Sequence, residues 1–339
     1  MTGGAFQGTA DVFLTGATGF IGSHVLRALL DEGYSVRALA RDSSSPRLPT
    51  GCAMVHGELR RPGELVRHLA GCRFLVHSAA LYSFSPATRP DAWQINVAGT
   101  RGLLEAARIA GVERAVVTSS SATVGPARGS RAATEADYAF VDAGAHHGYH
   151  ASKIAQEQVA IAARLPVVLI LPTAPVGPGD WKPTPTGKMV VDFMRGRIFA
   201  SIPGGLNVVA VDDVARAHVA ALRHGRDRER YLVGGENLSL SDLWRRLAVL
   251  CGTRAPRRNL PYGLASALAW LDEWRCRAEG RISGRAVDPA VPVEGVAMAR
   301  YNMFIDDSKA RRELGHDPTS VDTALARAVS WYREHGYAF

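Results

Sequence analysis

Apolar and polar positions follow two alternating rhythms through the first half of the chain. Asp11–Gly16 (DVFLTG) is a short apolar run closed by glycine, which predicts a buried strand. Phe20–Asp31 then spaces its apolar residues one helical turn apart until Gly33 stops it, predicting a helix. Tyr34–Ala40 predicts a second strand, Cys52–Val55 a third, Glu64–Leu69 a helix and Cys72–Ala80 a fourth strand. A long helix over Ala92–Ile109, closed by Gly111, leads to a fifth strand at Arg114–Ser120; a helix over Tyr149–Arg164 leads to a sixth at Pro166–Pro172. Near-continuous apolar strands alternating with helices predict an α/β fold, a Rossmann-type doubly wound parallel sheet covered on both faces.

Beyond Pro172 the alternation gives way to a Pro/Gly-rich loop, VGPGDWKPTPTG, and a mixed remainder with helices around Asp242–Cys251 and Thr323–His335. The expected division has three parts. Residues 1–10 form a loose leader, 11–176 a nucleotide-binding domain to which 208–233 returns, and 177–207 with 234–339 a smaller, mixed C-terminal lobe that covers a substrate.

Composition narrows the class. At 339 residues and 47% apolar content the chain can bury a large core, and 21% charged residues argue against a disordered or fibrous protein. No apolar run is long enough to span a bilayer, and the start lacks the basic and apolar pattern of a secretory signal. A cytoplasmic protein is expected, in which Cys52, Cys72, Cys251 and Cys276, lacking metal-ligand spacing, stay reduced and structural; no metal site is predicted. The net charge of +8 is spread along the chain and alternates with acids, as in GRDRER and KARRELG. That pattern predicts solvated charge with attraction for anionic ligands, and no nucleic-acid partner.

The candidate chemistry lies in three places. Thr15-Gly16-Ala17-Thr18-Gly19-Phe20-Ile21-Gly22 joins the first strand to the first helix, where glycines let backbone N–H groups approach a pyrophosphate at the helix N-terminus. Thr15, Gly16, Thr18, Gly19, Phe20, Ile21 and Gly22 are therefore expected to cradle a dinucleotide. At the end of the second strand, where an acid would hold the ribose hydroxyls of NAD, the chain has Ala40-Arg41, with Ser43, Ser44 and Arg47 close behind. A guanidinium grips a 2′-phosphate that a carboxylate would repel, so NADP(H) is expected in preference to NAD(H). Arg37, earlier on the same strand, reads as exposed. Third, Tyr149-x-x-x-Lys153 places two functional groups one helical turn apart. With nine tyrosines in the chain the spacing alone could arise by chance, and it gains meaning only from the other two motifs.

With that loop, Ser119-Ser120 and Tyr149-x-x-x-Lys153 in order, the chain resembles the extended short-chain dehydrogenase/reductase superfamily over nearly its whole length. His77-Ser78-Ala79-Ala80, Asn96-Val97-x-Gly99-Thr100, Pro172, Val211-Asp212-Asp213-Val214-Ala215 and Asp307–Gly315 carry the resemblance. PVGPGDWKPTPTGKMVVDFMRGR and YLVGGENLSL bring it closer to the group labelled hopanoid-associated sugar epimerases, itself similar to dihydroflavonol reductases. The resemblance implies a catalytic set. Tyr149 would be the acid that protonates a carbonyl oxygen as hydride arrives, its phenolate favoured by the nearby ammonium. Lys153 would supply that charge and hold the nicotinamide ribose. Ser120, in register five residues before Gly125, would orient the carbonyl, with Ser121 the fallback, and Asn96 would either fix the relay geometry or make a buried helix-to-strand hydrogen bond. Glu58, Leu59, Ser78, Ala79, Ala80, Pro172 and Thr173 would line the cofactor, and Lys182 and Thr184, with Trp181 and Lys188 in the same loop, would meet the substrate beside Ser121. A homodimer formed by the helices at Ala92–Ile109 and Tyr149–Arg164 is the habit of the family.

The chain departs from the family in several places. Gly57-Glu58-Leu59 replaces the usual Gly-Asp-Leu, Leu171 stands where many relatives have arginine, and ASIPGGLNVVAVDDVA lacks the Arg-Asp-Phe and His of many nucleotide-sugar enzymes. His146, His147 and His150 around Tyr149 read as solvated. Three functions compete. The first is an NADP-dependent oxidoreductase acting on a ketone, aldehyde or secondary alcohol of a small molecule. The second is a sugar or nucleotide-sugar epimerase working through a keto intermediate with tightly bound NAD(P), and the third a non-catalytic NADP-binding sensor. The complete Ser/Tyr/Lys set and Arg41 favour the first.

Overall fold

Strand β1 (Ala10–Thr15) sits inside the sheet, paired in parallel with β2 (Val36–Ala40) on one side and β4 (Cys72–His77) on the other. Every residue of β1 except Asp11 is buried, and so is the whole of β2, because helices cover both faces. This is why these strands read as unbroken apolar runs and not as alternating ones. The computed structural model describes residues 9–41, 50–81, 89–125, 131–138, 149–283, 287, 293, 296 and 302–338.

Among those residues the main sheet has seven parallel strands in the order β3-β2-β1-β4-β5-β6-β9, with β3 at Ala53–His56, β5 at Arg114–Thr118, β6 at Val167–Pro172 and β9 at Arg230–Val233. One face packs against α1 (Phe20–Asp31) and α7 (Val211–His224), through Val25, Leu26, Leu29, Val214 and Leu222. The other packs against α2 (Pro62–Leu69), α4 (Thr100–Ile109) and α5 (Tyr149–Ile161), through Leu65, Leu69, Leu103, Leu104 and Ala160. The connections from β1 run outward in both directions, so the strand order reverses between β1 and β4. In open α/β sheets ligands bind at that reversal, beyond the C-terminal ends of the strands.

A second, smaller sheet is built on β8 (Gly205–Ala210), antiparallel to β10 (Glu236–Ser239) and parallel to β7 (Ala174–Val176) and β11 (Asn302–Met303). Its core joins α6 (Pro185–Met194), α8 (Leu240–Cys251) and α11 (Val321–Glu334), with Phe193 stacked on Trp244 at 5.7 Å. Helices α9 (Tyr262–Ser283) and α10 (Ser308–Leu314) belong to the C-terminal part of the chain.

Three expectations are corrected. The helix read as continuous over Ala92–Ile109 is α3 (Arg89–Trp93), a π-helical stretch over Gln94–Gly99 and then α4. Within the widened turns the Asn96 side chain is bonded to the Leu81 backbone, and Thr100 Oγ1 bonds back to the Asn96 carbonyl at 2.6 Å. Such bonds compete with the regular ladder. Strands β4 and β5 end at His77 and Thr118; the Ser78 and Ser119 N–H groups still donate to the Thr15 and Ile170 carbonyls (3.2 and 2.7 Å), after which the chain turns away, Ser120 capping a short 3₁₀ turn. Arg37 is buried at 1% exposure, since β2 is an interior strand. Its guanidinium donates to the carbonyls of His68 (2.6 Å) and Ala70 (2.9 Å) at the C-terminus of α2, where carbonyls lack helical partners.

Candidate active site

The glycine loop, Ser78–Ala80, Ser119–Ser121, Lys153 and Asn96 lie around the C-terminal ends of the central strands of the main sheet. Between β1 and β4 the backbones approach so closely that side chains are excluded. Gly16 has φ +82°, and a Cβ there would lie 2.6 Å from the Ala79 nitrogen. A Cβ on Gly22 would lie 2.0 Å from the Gly16 carbonyl oxygen, so only glycine lets α1 start against the loop. The loop closes with a Gly19 N–H to Gly16 carbonyl bond of 2.9 Å. No acidic residue stands in the first turn of α1, leaving its unpartnered N–H groups in a field that favours an anion. The cradle fits a dinucleotide pyrophosphate.

Next to it runs a buried polar chain. Lys153 is only 2% exposed, and its ammonium donates to the Thr118 carbonyl (2.9 Å) and to Gln156 Oε1 (2.7 Å). Burial pushes its pKa down to about 8, with the Glu157 carboxylate acting in the opposite direction. Gln156 Nε2 donates to Thr100 Oγ1 at 3.0 Å, and His77 Nε2 lies 2.8 Å from the same oxygen. Thr100 has one hydroxyl proton and gives it to the Asn96 carbonyl, so it can only accept from His77 and Gln156. His77 is therefore the neutral Nε2–H tautomer, and its Nδ1 accepts from Thr15 Oγ1 at 2.7 Å. Burial, with the Lys153 charge adding to it, pushes His77 down to about 3, which keeps the ring neutral. Thr15 in turn accepts from the Ala79 N–H at 3.3 Å. Beyond Lys153, Thr118 Oγ1 lies 2.7 Å from His218 Nε2. His218 Nδ1–H donates to the Val214 carbonyl at 2.8 Å, so Nε2 accepts from Thr118.

Asn96 is fully buried and ties three elements together. It accepts from the Leu81 N–H (2.8 Å) and donates to the Leu81 carbonyl (3.1 Å) and to Ser152 Oγ on α5 (3.2 Å). Tyr149 is the first residue of α5, one turn before Lys153; its side chain, like His146 and His147, lies outside the described residues.

The three serines after β5 have different surroundings. Ser119 is buried and donates to Glu157 Oε1 at 2.6 Å, which removes it from the crevice. Ser120 and Ser121 are half-buried at the rim; Ser120 Oγ caps a short 3₁₀ turn by accepting from the Ala122 N–H at 3.1 Å, leaving its own proton to donate. Behind them a buried ion pair, Glu157 with Arg230 at 3.1 Å, holds the turn in place through Thr123, which donates to Glu157 (2.8 Å) and accepts from Arg230 (3.0 Å).

The remaining candidates are more dispersed. Arg41 is exposed immediately after β2, and Ser43, Ser44 and Arg47 lie outside the described residues. Glu58 is half-buried after β3, with Arg60 3.6 Å away, and Leu59 is buried. Ser78 and Ala79 are half-buried and Ala80 exposed beyond β4. Pro172 ends β6, and Thr173 donates to Asn207 Oδ1 at 2.9 Å. In the following loop Lys182 is exposed, whereas the Thr184 hydroxyl is committed, accepting from the Gly187 N–H (3.2 Å) and donating to buried Asp180 (2.8 Å). Asp180 also accepts from Tyr332 at 2.9 Å, so Thr184 serves as the joint between loop and α6. Trp181 packs edge-on to Trp331 at 4.9 Å, and Lys188 pairs with Asp192.

His77, Thr100, Thr118, Gln156 and His218 were not singled out for this network. All five sit in strand or helix runs where a lone polar residue resembles an ordinary break in an apolar pattern, and only the register of neighbouring elements brings them together.

The sequence profile of the NAD dependent epimerase/dehydratase family matches residues 12–234. A Synechocystis sp. protein named "Putative dihydroflavonol 4-reductase" is 39% identical over 96% of this chain and 95% of its own length. Sterol demethylase protein B of Methylococcus capsulatus is 35% identical over 95% of this chain and 98% of its own. The crystal structure of a nucleoside-diphosphate-sugar epimerase from Pseudomonas aeruginosa superposes with a TM-score of 0.80 at 28% identity, covering 98% of this chain and all of the other.

Proposed function

The chain belongs to the NAD dependent epimerase/dehydratase family of the extended short-chain dehydrogenase/reductases, and on that premise we propose an NADP-dependent reductase of a ketone or aldehyde carried by a small molecule. The observation that carries the reading is Lys153, a buried ammonium fixed by two acceptors and linked through the polar chain to a glycine loop whose close backbone approach admits no side chain. The bound nicotinamide would supply the hydride. Gly16, Gly19 and Gly22 would take the pyrophosphate, Arg41 the 2′-phosphate, and Glu58 and Leu59 the adenine. Ser78, Ala79, Ala80, Pro172 and Thr173 would line the cleft around the ring and ribose. Two of the three Lys153 protons are held by Thr118 and Gln156, and the third would serve the ribose and the Tyr149 phenol. Tyr149 would give its proton to the carbonyl oxygen while Ser120, or Ser121 beside it, donates a hydrogen bond to that oxygen. Asn96 would hold α5 against the 78–81 segment, keeping the acid and the ammonium in register.

The 39%-identical relative named as a reductase supports this reading, as does the stretch ASIPGGLNVVAVDDVA, which lacks the Arg-Asp-Phe and His that many nucleotide-sugar enzymes carry before their Val-Asp-Asp. The epimerase structure at 28% identity supports the alternative, in which the same residues oxidise and re-reduce a sugar carbon. Identifying the nucleotide that stays with the purified protein, and whether it exchanges, separates the two. Protein that binds NADPH reversibly and reduces carbonyl compounds fits the reductase. Dinucleotide retained through dialysis and released only on denaturation fits the epimerase, whose cofactor is regenerated in each cycle.

Arg41→Ala tests the nucleotide preference. A charged hydrogen-bonding partner of phosphate is worth roughly 1.5–3 kcal/mol, so the Kd for NADPH is expected to rise about 10- to 100-fold with that for NADH unchanged. Titration of both nucleotides by fluorescence checks this; equal weakening of the two would show that Arg41 does not read the 2′-phosphate.

A further inference from the structure

Helix α9 is built inside out for a water-facing helix. The residues it turns inward are small and buried, Ala265, Ala269 and Cys276, the first two packed with Val296, Ile202 and Val293. Its large apolar residues face out. Leu264, Leu268 and Leu271 follow i, i+4, i+7 spacing, and Ile282 lies three turns beyond Leu271 on the same line. Trp270 and Trp274, one turn apart, stand beside that line; Trp274 is 70% exposed and Ile282 88%. Scattered exposed leucines need no explanation, but six large apolar side chains on one side of one helix do.

Charge indicates what covers them. On the second half of α9 the charges are internally neutralised, Arg275 with Asp272 (2.7 Å) and Glu279 (2.8 Å), and Arg277 with Glu273 (2.8 Å). The 20 residues from Gly252 to Leu271 hold Arg254, Arg257 and Arg258 and no carboxylate at all. All three arginines are exposed, and none forms an ion pair among the described residues. The exposed stripe therefore begins next to unbalanced positive charge. A second copy packed on this face would offer the arginines only the Asp272, Glu273 and Glu279 carboxylates, which are already paired within their own helix. An anionic bilayer meets both demands: its headgroups take the guanidiniums and its interface takes the leucines and the amphipathic indoles.

We propose that the 252–282 surface, with α9 lying flat, docks the protein on anionic lipid bilayers. The helix lies on the bilayer and does not cross it: among the described residues no helix is long and apolar enough to span a membrane. The inference goes beyond the reductase reading and stands without it, since the surface and the crevice use different residues.

The test is sedimentation of the full chain with sucrose-loaded vesicles of phosphatidylcholine alone, or mixed 3:1 with phosphatidylglycerol, followed by tryptophan emission. The intact protein is expected to pellet with the mixed vesicles, with a blue shift as Trp270 and Trp274 leave water, and to be released by salt. Each interfacial arginine contributes about fivefold, so Arg254→Gln/Arg257→Gln/Arg258→Gln is expected to weaken the anionic preference on the order of 100-fold. Leu268→Glu/Leu271→Glu is expected to abolish binding and the blue shift. Nucleotide binding of each variant shows that it is folded, and turnover of a water-soluble carbonyl without vesicles reports on the reductase reading separately. Absence of pelleting with either lipid, or pelleting that both sets of substitutions leave intact, overturns the proposal. So does a dimer that Leu268→Glu/Leu271→Glu dissociates in the absence of lipid binding, which would assign the face to a second copy.

Discussion

Lys153→Met is expected to lower kcat/KM for carbonyl reduction by a factor on the order of 10²–10³, the size of effect seen when one preorganised charge or donor is removed from a reacting oxygen's surroundings. Methionine keeps the length and the apolar stem and deletes only the ammonium. Stability gives an independent readout. In the native chain the Lys153 pKa is lowered to about 8 from 10.5, mainly by burial, so between those values the unfolded chain binds the proton that the folded one releases. The contribution of Lys153 to stability thus improves as pH rises through that window, and its full penalty acts below about 8. Lys153→Met removes this slope, although it also leaves the Thr118 carbonyl and Gln156 Oε1 without their donor. Urea unfolding of both proteins at pH 7, 8 and 9.5 should show the stability difference between wild type and variant shifting in favour of wild type with pH. A variant that keeps activity within tenfold of wild type would remove Lys153 from the machinery.

The sheet was readable because its interior strands leave little freedom: a strand buried on both faces must be apolar throughout, and Val12–Leu14, Val36–Ala40 and Val167–Leu171 are nearly so. The cradle was readable because positive φ and backbone contact admit only glycine, so Gly16 and Gly22 show their role in their identity. Arg37 misled because the same residue type solvates a surface or satisfies buried carbonyls, and only the sheet order shows that β2 is interior. The π-helical turns at Gln94–Gly99 were hidden because no residue type within them marks a widened turn, and the partner that Asn96 binds from inside them, Leu81, is fifteen residues away. Helix α9 escaped for another reason. It is apolar on the side it buries and on the side it exposes, so no helical period stands out. Helix α7 has a clear period, with Val211, Val214, Ala215, Val219 and Leu222 inward, and could have been found had Val211–Ala215 been read for its spacing as well as its motif.

Tyr149→Phe is expected to reduce kcat on the order of 10²–10⁴, the usual weight of a positioned general acid, while NADPH affinity stays close to wild type. The substitution deletes one oxygen and keeps the ring, so the start of α5 and the neighbouring ammonium should be undisturbed. The rival acid is His150, the next residue, whose Nδ1–H donates to the Ala122 carbonyl at 3.1 Å in the same turn that carries Ser120 and Ser121. A carbonyl can only accept, so the Nδ1 proton of His150 is committed to Ala122. His150→Asn is therefore expected to cost far less activity than Tyr149→Phe. Single-turnover reduction with enzyme-bound NADPH, followed at 340 nm, measures the step directly for both variants. The reverse order of effects would hand the proton to His150. Undiminished biological activity of Tyr149→Phe, with no turnover in either protein, would mean that the chain binds its nucleotide as a sensor and that the ammonium beside the cradle serves binding alone.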